Sequence, residues 1–124
     1  MIYKLRTSKE TMEIFSSIGN AQGLQPFALS KIAIALSIRK GELDSGDFKT
    51  NTDGLELNRQ TIFGEYDVLF KSLITMSEGN ELSDGDFFPK ITKAHLDRGA
   101  KLLSNEMRYG MSFYENLLRL ENNI

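Results

Sequence analysis

A mainly α fold opened by one short N-terminal strand is what this sequence predicts, and three observations carry the prediction. Four stretches repeat apolar residues at helical spacing, within residues 12–18, 27–38, 62–76 and 91–107. The opening "IYKLRTS" instead alternates with the period of two that a strand requires, and it is rich in β-favouring residues. Glycines and a proline fall between the periodic stretches, where helix ends and chain reversals need them. With 124 residues and 40% hydrophobic content, the chain has the size of one domain around one core. The expected division of residues 1–124 is a strand-helix-helix unit over 1–40, an acidic loop over 41–60, two longer helices over 61–109 and an amphipathic tail over 110–124.

In the strand, Ile2, Lys4 and Arg6 point one way and Tyr3, Leu5 and Thr7 the other, toward the core. Thr7 and Glu10 have the spacing of a capping box for the first helix. That helix places Met12, Phe15 and Ile18 on one face and ends in "GNAQG". Pro26 suits the first position of the second helix, whose apolar residues include Phe27, Ile32, Ala33 and Leu36, and Gly41 closes it. Strand, helix, turn and helix in 40 residues resemble a ribbon-helix-helix module, in which strands from two subunits pair and outward side chains meet DNA. Residues 41–60 lack any helical period, and their oxygen-rich "DSGDFKTNTDG" does not fit a calcium loop. Thr61 opens the third helix, with Ile62, Tyr66, Leu69, Leu73 and Met76 as its inward stripe. A fourth helix begins near Phe88–Pro89, and Gly110 bends or breaks it before a tail carrying Phe113, Leu117, Leu118 and Leu120.

Composition narrows the function classes. The formal charge is −2, but six basic groups and two acids fall in residues 1–40, against three basic groups and eleven acids in 41–87. A basic end beside an acidic middle points to a polyanion on one surface and a different partner elsewhere. The chain has no cysteine, which excludes disulfides, thiolate metal sites, a persulfide carrier and cysteine-held clusters. No GxxxxGK[ST] loop is present to cradle a nucleotide. No secretory signal or membrane-spanning run is read, and a cytoplasmic location is expected.

Three blocks, "LRTSKET", "NRQTIFGEYDVLF" and "AHLDRGAKLL", together resemble the DndE family, the small protein of bacterial DNA phosphorothioate modification, over residues 3–107. Asn58, Arg59, Thr61, Gly64, Glu65, Tyr66 and Asp67 match in the middle block, with Leu69 and Phe70, and His95, Leu96, Arg98 and Gly99 in the last. Asp97 departs from the pattern, which favours Asn there. The resemblance implies a helical homotetramer that prefers nicked double-stranded DNA. It further implies partners, a cysteine desulfurase, an iron–sulfur protein and an ATPase, that together replace a non-bridging phosphate oxygen by sulfur. No catalytic residue, metal or cofactor is expected in this chain.

DNA contact is expected first from Lys4, Arg6 and Lys9, then from Lys31, Arg39, Lys40, Arg59, Arg98 and Lys101. Self-assembly is expected through Ile32, Ile34, Leu36 and Ile38, because the second helix is apolar nearly all round. Two other functions compete with this one. A metal-dependent nicking subunit would use His95 with Asp97, or Glu65 with Asp67, around magnesium. A ribbon-helix-helix repressor would read bases with the strand.

Overall fold

The computed structural model describes residues 3–122, with side chains from residue 3 to residue 108. Its elements are β1 (Lys4–Arg6), α1 (Lys9–Gln22), α2 (Pro26–Lys40), β2 (Glu56–Asn58), α3 (Arg59–Phe63), α4 (Asp67–Glu78) and α5 (Thr92–Asn122). The architecture is mainly helical, as the periodicities require. No helix of the described residues is long and apolar enough to cross a membrane.

β1 does not wait for a second subunit. It pairs antiparallel with β2 of the same chain, Lys4 opposite Asn58, Leu5 opposite Leu57 and Arg6 opposite Glu56. This corrects the ribbon-helix-helix expectation of a lone strand. Leu5 and Leu57 both turn into the core, while Lys4 and Arg6 stay exposed. Tyr3 is exposed rather than inward, although its carbonyl accepts the Arg59 N–H at 2.7 Å. Ile2 lies outside the described residues.

The cap of α1 is Ser8, one residue beyond the expected Thr7; its Oγ accepts the Thr11 N–H at 3.1 Å. Thr7 has another task, since its buried Oγ1 accepts the Leu55 N–H at 2.9 Å and holds the β2 approach against β1. Phe15 fills the core from α1, and Gly23, left-handed, closes the helix. α2 begins with Pro26 at its first turn and stops at Gly41, as expected.

Residues 41–60 are more ordered than their polar composition implies. They hold a 3-10 turn, Ser45–Phe48, in which Asp44 and Asp47 cap one another's backbone, and then β2. The third helix starts at Arg59, not Thr61, because Asn58 caps it by accepting the Gln60 N–H at 2.9 Å. Gly64 then takes φ 52° and ψ −128°, a backbone that L side chains rarely adopt, and the helix is cut there. α4 resumes out of phase. Ile62 and Ile74 are fully buried, but Tyr66, Leu69, Leu73 and Met76 are exposed, so the expected single inward stripe is broken in two.

Phe87 and Phe88 bury themselves in the π-type turn Asp86–Ile91, which leads into α5. α5 is the central element: every residue from Ala94 to Ala100 is buried. It runs unbroken through Gly110, so the expected break is not there. The side chains of Phe113, Leu117, Leu118 and Leu120 lie outside those described. α2 crosses α5 at Gly99, where a Cβ would sit 1.8 Å from the Ala33 carbonyl oxygen. Ile34 is fully buried at this crossing, 0% exposed, so it belongs to the monomer core and not to a subunit interface. Ile32 is exposed, while Leu36 and Ile38 are partly buried against the same core.

Candidate functional site

Of the basic residues expected to meet DNA, Lys4, Arg6 and Lys9 are exposed on adjoining elements, β1 and the first turn of α1. Arg6 faces Glu56 across the ladder at 3.9 Å, with both side chains about half exposed, a contact worth little in water. Lys4 and Lys9 make no ion pair among the described residues. Lys101 lies 3.7 Å from Glu10 and Arg39 3.7 Å from Glu106, again as exposed pairs. Lys31 rests over the Phe27 ring at 5.2 Å, and Lys40 ends α2 at the surface.

Arg59 and Arg98 are not available as expected. The Arg59 side chain is 12% exposed and forks onto two carboxylates, Asp67 at 2.7 and 2.9 Å and Asp84 at 2.9 Å twice. Its guanidinium stands 5.1 Å over Phe87 and 5.6 Å over Phe88. Asp67 and then Asp84 hold Arg59 more firmly protonated than usual, and Arg59, with Lys71, holds Asp84 down to about 2. A guanidinium so neutralised and so planar in its contacts ties α3 to α4 and to the turn before α5. Arg98 is buried. It donates to the Ser37 and Glu42 carbonyls at 2.6 and 3.1 Å, to the Gly41 carbonyl, and to Ser37 Oγ at 2.8 Å. In doing so it satisfies one carbonyl in the last turn of α2, that of Ser37, and two just beyond the helix.

The middle motif is therefore mostly scaffold. Asn58 caps, Arg59 bridges, Gly64 turns the chain, and Asp67 receives Arg59. Thr61, Glu65 and Tyr66 are exposed, Tyr66 by 49%.

His95 and Asp97 serve two separate networks, because two positions along a helix point to nearly opposite sides. The first network has a fixed direction. The Glu78 carboxylate can only accept, so it takes its hydrogen from His95 Nε2 and leaves Nδ1 of the neutral ring to accept the Ser37 hydroxyl hydrogen at 2.8 Å, while Ser37 Oγ accepts from Arg98 Nε. The proton of the neutral ring is then on Nε2, which donates to Glu78 Oε2 at 3.1 Å. Burial first, and the Arg98 charge second, push His95 down to about 4. Burial raises the Glu78 carboxyl. In the second network Asp97, 1% exposed, takes four donors: the Ser8 N–H at 3.0 Å, Thr11 Oγ1 at 2.7 Å, and Thr50 Oγ1 and Lys93 Nζ at 2.6 Å each.

A prediction follows from the depressed histidine. As pH falls below 6.5 the unfolded chain takes up a proton that the folded chain refuses until about 4. His95 thus removes about 3 kcal/mol of stability across that window, and Glu78, whose folded carboxyl protonates earlier than the unfolded one, works in the opposite sense. His95 is the only histidine, so its ring protons report it without ambiguity by NMR. The expected titration midpoint lies near 4; a midpoint near 6.5 would break the buried relay.

Neither carboxylate pairing suggested for a nicking metal is assembled. His95 and Asp97 diverge, and Asp67 is committed to Arg59 while Glu65 is exposed. Among the described residues there is no group of three or more His, Cys, Asp or Glu placed to hold a metal. A groove of ≈430 Å³ at the α1–α2 turn, with Phe15, Leu24, Pro26 and Leu55 in its walls, has no charged side chain lining it. Sequence reasoning missed Ser8, Thr11, Ser37, Thr50, Glu78, Asp84 and Lys93 as partners of the motif residues. The serines and threonines carry no pattern of their own, and each meets its partner only through the tertiary fold.

The family model described as DNA sulphur modification protein DndE matches residues 4–110. Among solved structures, the chain is similar to DndE from Escherichia coli B7A, involved in DNA phosphorothioation modification. The identity is 22%, the match covers 83% of this chain and 97% of that one, and the TM-score is 0.66. A glycine-to-lysine double mutant of DndE, involved in DNA phosphorothioation, is similar at 21% identity, with 85% and 99% covered and a TM-score of 0.61. Likeness at these identities is likeness of fold. No curated protein matches the sequence.

Proposed function

Because this chain belongs to the DndE family of DNA sulphur modification proteins, we propose that it is the DNA-binding, non-sulfur-carrying subunit of a phosphorothioate modification complex. The observation that carries the reading is the exposed basic surface of Lys4, Arg6 and Lys9, in which two of the three cations have no acid partner among the described residues. The absence of cysteine from the chain leaves the sulfur chemistry to other Dnd subunits, with which this one assembles. Its DNA is double-stranded, with a preference for nicked duplex.

The test is the salt dependence of binding to nicked and intact duplex. Affinity is expected to fall log-linearly with salt, and changing Lys4, Arg6 and Lys9 together to Gln should flatten the slope by up to ~3 units at about 0.9 per contact. An unchanged slope would move the contact surface elsewhere. Magnesium-dependent nicking by the purified chain would replace the binding role with a catalytic one.

Self-assembly belongs to the same proposal, on α4 in place of α2. Val68 is 77% exposed and Met76 76%, and Tyr66, Leu69 and Leu73 continue that apolar face. So many large apolar side chains on one short helix and the residue that precedes it mark a contact surface, for which a second copy is the simplest partner. Leu69→Asp is expected to lower the particle mass in light scattering while helical circular dichroism is kept. An unchanged mass would exclude the α4 face.

A further inference from the structure

A hollow of ≈180 Å³ opens beside the turn Ser45–Phe48 and the first turn of α5, and its walls include Phe48, Thr50, Thr52, Lys90 and Lys93. Asp47 also borders it, but that carboxylate is occupied, accepting the Asp44 N–H at 2.9 Å and lying 3.6 Å from Arg98 Nη1. Asp97, next to it, is saturated by its four donors.

What remains in the hollow is a set of donors without acceptors. The Lys93 ammonium has three N–H bonds, of which two go to Thr50 Oγ1 and Asp97 Oδ2, both at 2.6 Å; the third has no partner among the described residues. Lys90 makes no ion pair there and is held 5.4 Å over the Phe48 ring. The Thr52 hydroxyl has no hydrogen-bond partner among the described residues either. Two positive charges against one matched carboxylate, with donors left free on Lys90, Lys93 and Thr52, ask for an anion with several oxygens. Size narrows the choice. The hollow equals about six waters at roughly 30 Å³ each. It is below the roughly 300 Å³ at which pockets begin to enclose whole organic ligands. A phosphate group fits, and a nucleoside does not.

The hollow also adjoins the basic surface already described. Thr50 lines it, and the next residue, Asn51, accepts the Lys9 N–H at 2.9 Å, so one short segment joins Lys9 to Lys93. We propose that this hollow is a phosphate subsite of the DNA interface, with Lys90 supplying charge and Lys93 and Thr52 supplying oriented donors. The proposal rests on the DNA-binding reading and extends it to residues outside the candidate set.

The test follows the backbone amides of Thr50, Thr52, Lys90 and Ala94 by NMR in two titrations. One adds inorganic phosphate against potassium chloride of equal ionic strength; the other adds short double-stranded DNA. Both are expected to shift these amides, and Lys90→Gln, which keeps the stem over Phe48, should abolish the shifts. The same variant should flatten the salt slope of DNA binding by about 0.9. DNA binding with all four amides silent in both titrations would overturn the subsite and leave the DNA-binding reading intact. Phosphate shifts in a chain that binds no DNA would sink that reading and keep the anion site. Shifts with phosphate but not with bound DNA would remove the hollow from the DNA interface.

Discussion

Gly99→Ala is expected to destabilise the fold by about 3 kcal/mol or more, beyond the upper end of what a surplus methyl group usually costs in a core. The new Cβ would stand 1.8 Å from the Ala33 carbonyl oxygen, 2.3 Å from its carbon and 2.9 Å from its Cα. All three are backbone atoms of α2, so no rotamer change relieves the clash, and α2 must move off α5 by more than 1 Å. That movement opens the part of the core where Ala33, Ile34, Leu96 and Ala100 are fully buried. Helix propensity pulls the other way, since alanine is favoured over glycine inside a helix by about 1 kcal/mol. The sign of the result therefore decides. Urea unfolding followed by circular dichroism should give a lower midpoint for the variant; an equal or higher midpoint would mean the crossing is looser than described.

Asp97→Ala is expected to cost about 3–5 kcal/mol, the range for removing one partner of a buried ion pair. The loss leaves the Ser8 N–H, the Thr11 and Thr50 hydroxyls and the Lys93 ammonium without their acceptor, in a site 1% exposed. Asp97→Asn should fall between wild type and the alanine variant. It retains one oxygen but brings an amide N–H against groups that can only donate, Lys93 above all. A double-mutant cycle isolates the pair. Lys93→Met added to Asp97→Ala should cost less than the two single changes summed, because the orphaned charge is gone. Strict additivity in thermal or urea unfolding would show that the 2.6 Å contact contributes nothing of its own.

Much of the fold was legible because its punctuation is local. Pro26 and Gly41 bound α2, Gly23 closes α1, and the alternation around Leu5 marks β1, each through backbone preferences that act within a few residues. β2 escaped because Glu56, Leu57 and Asn58 are too few to display a period, and their pairing partners lie 50 to 54 positions earlier. The phase of α4 escaped for a subtler reason. Gly64 is visible in the sequence, but the apolar spacing from Ile62 to Met76 continues across it, and only the positive φ reveals that the two halves face different ways. At the candidate site, the matching blocks were legible and the structural tasks of their residues were not. Arg59, His95 and Arg98 stand in matching blocks, yet their partners, such as Asp84 and Ser37, are 25 to 61 positions away. Burial decides whether a cation is a ligand for DNA or a clamp for the chain, and burial is a property of the assembled fold.

The position of α5 has a consequence for how the chain is made. Ser8 and Thr11 direct hydrogen bonds to Asp97, Ser37 is held between His95 and Arg98, and Ala33 lies on Gly99. The partners of these buried groups are therefore synthesised after both helices that need them. Until α5 is made, the first 60 residues carry the segments of a strand pair and two helices but no central helix against which to close them. α5 has to be made before α1 and α2 can complete these contacts, so the core closes as one unit around that helix rather than element by element.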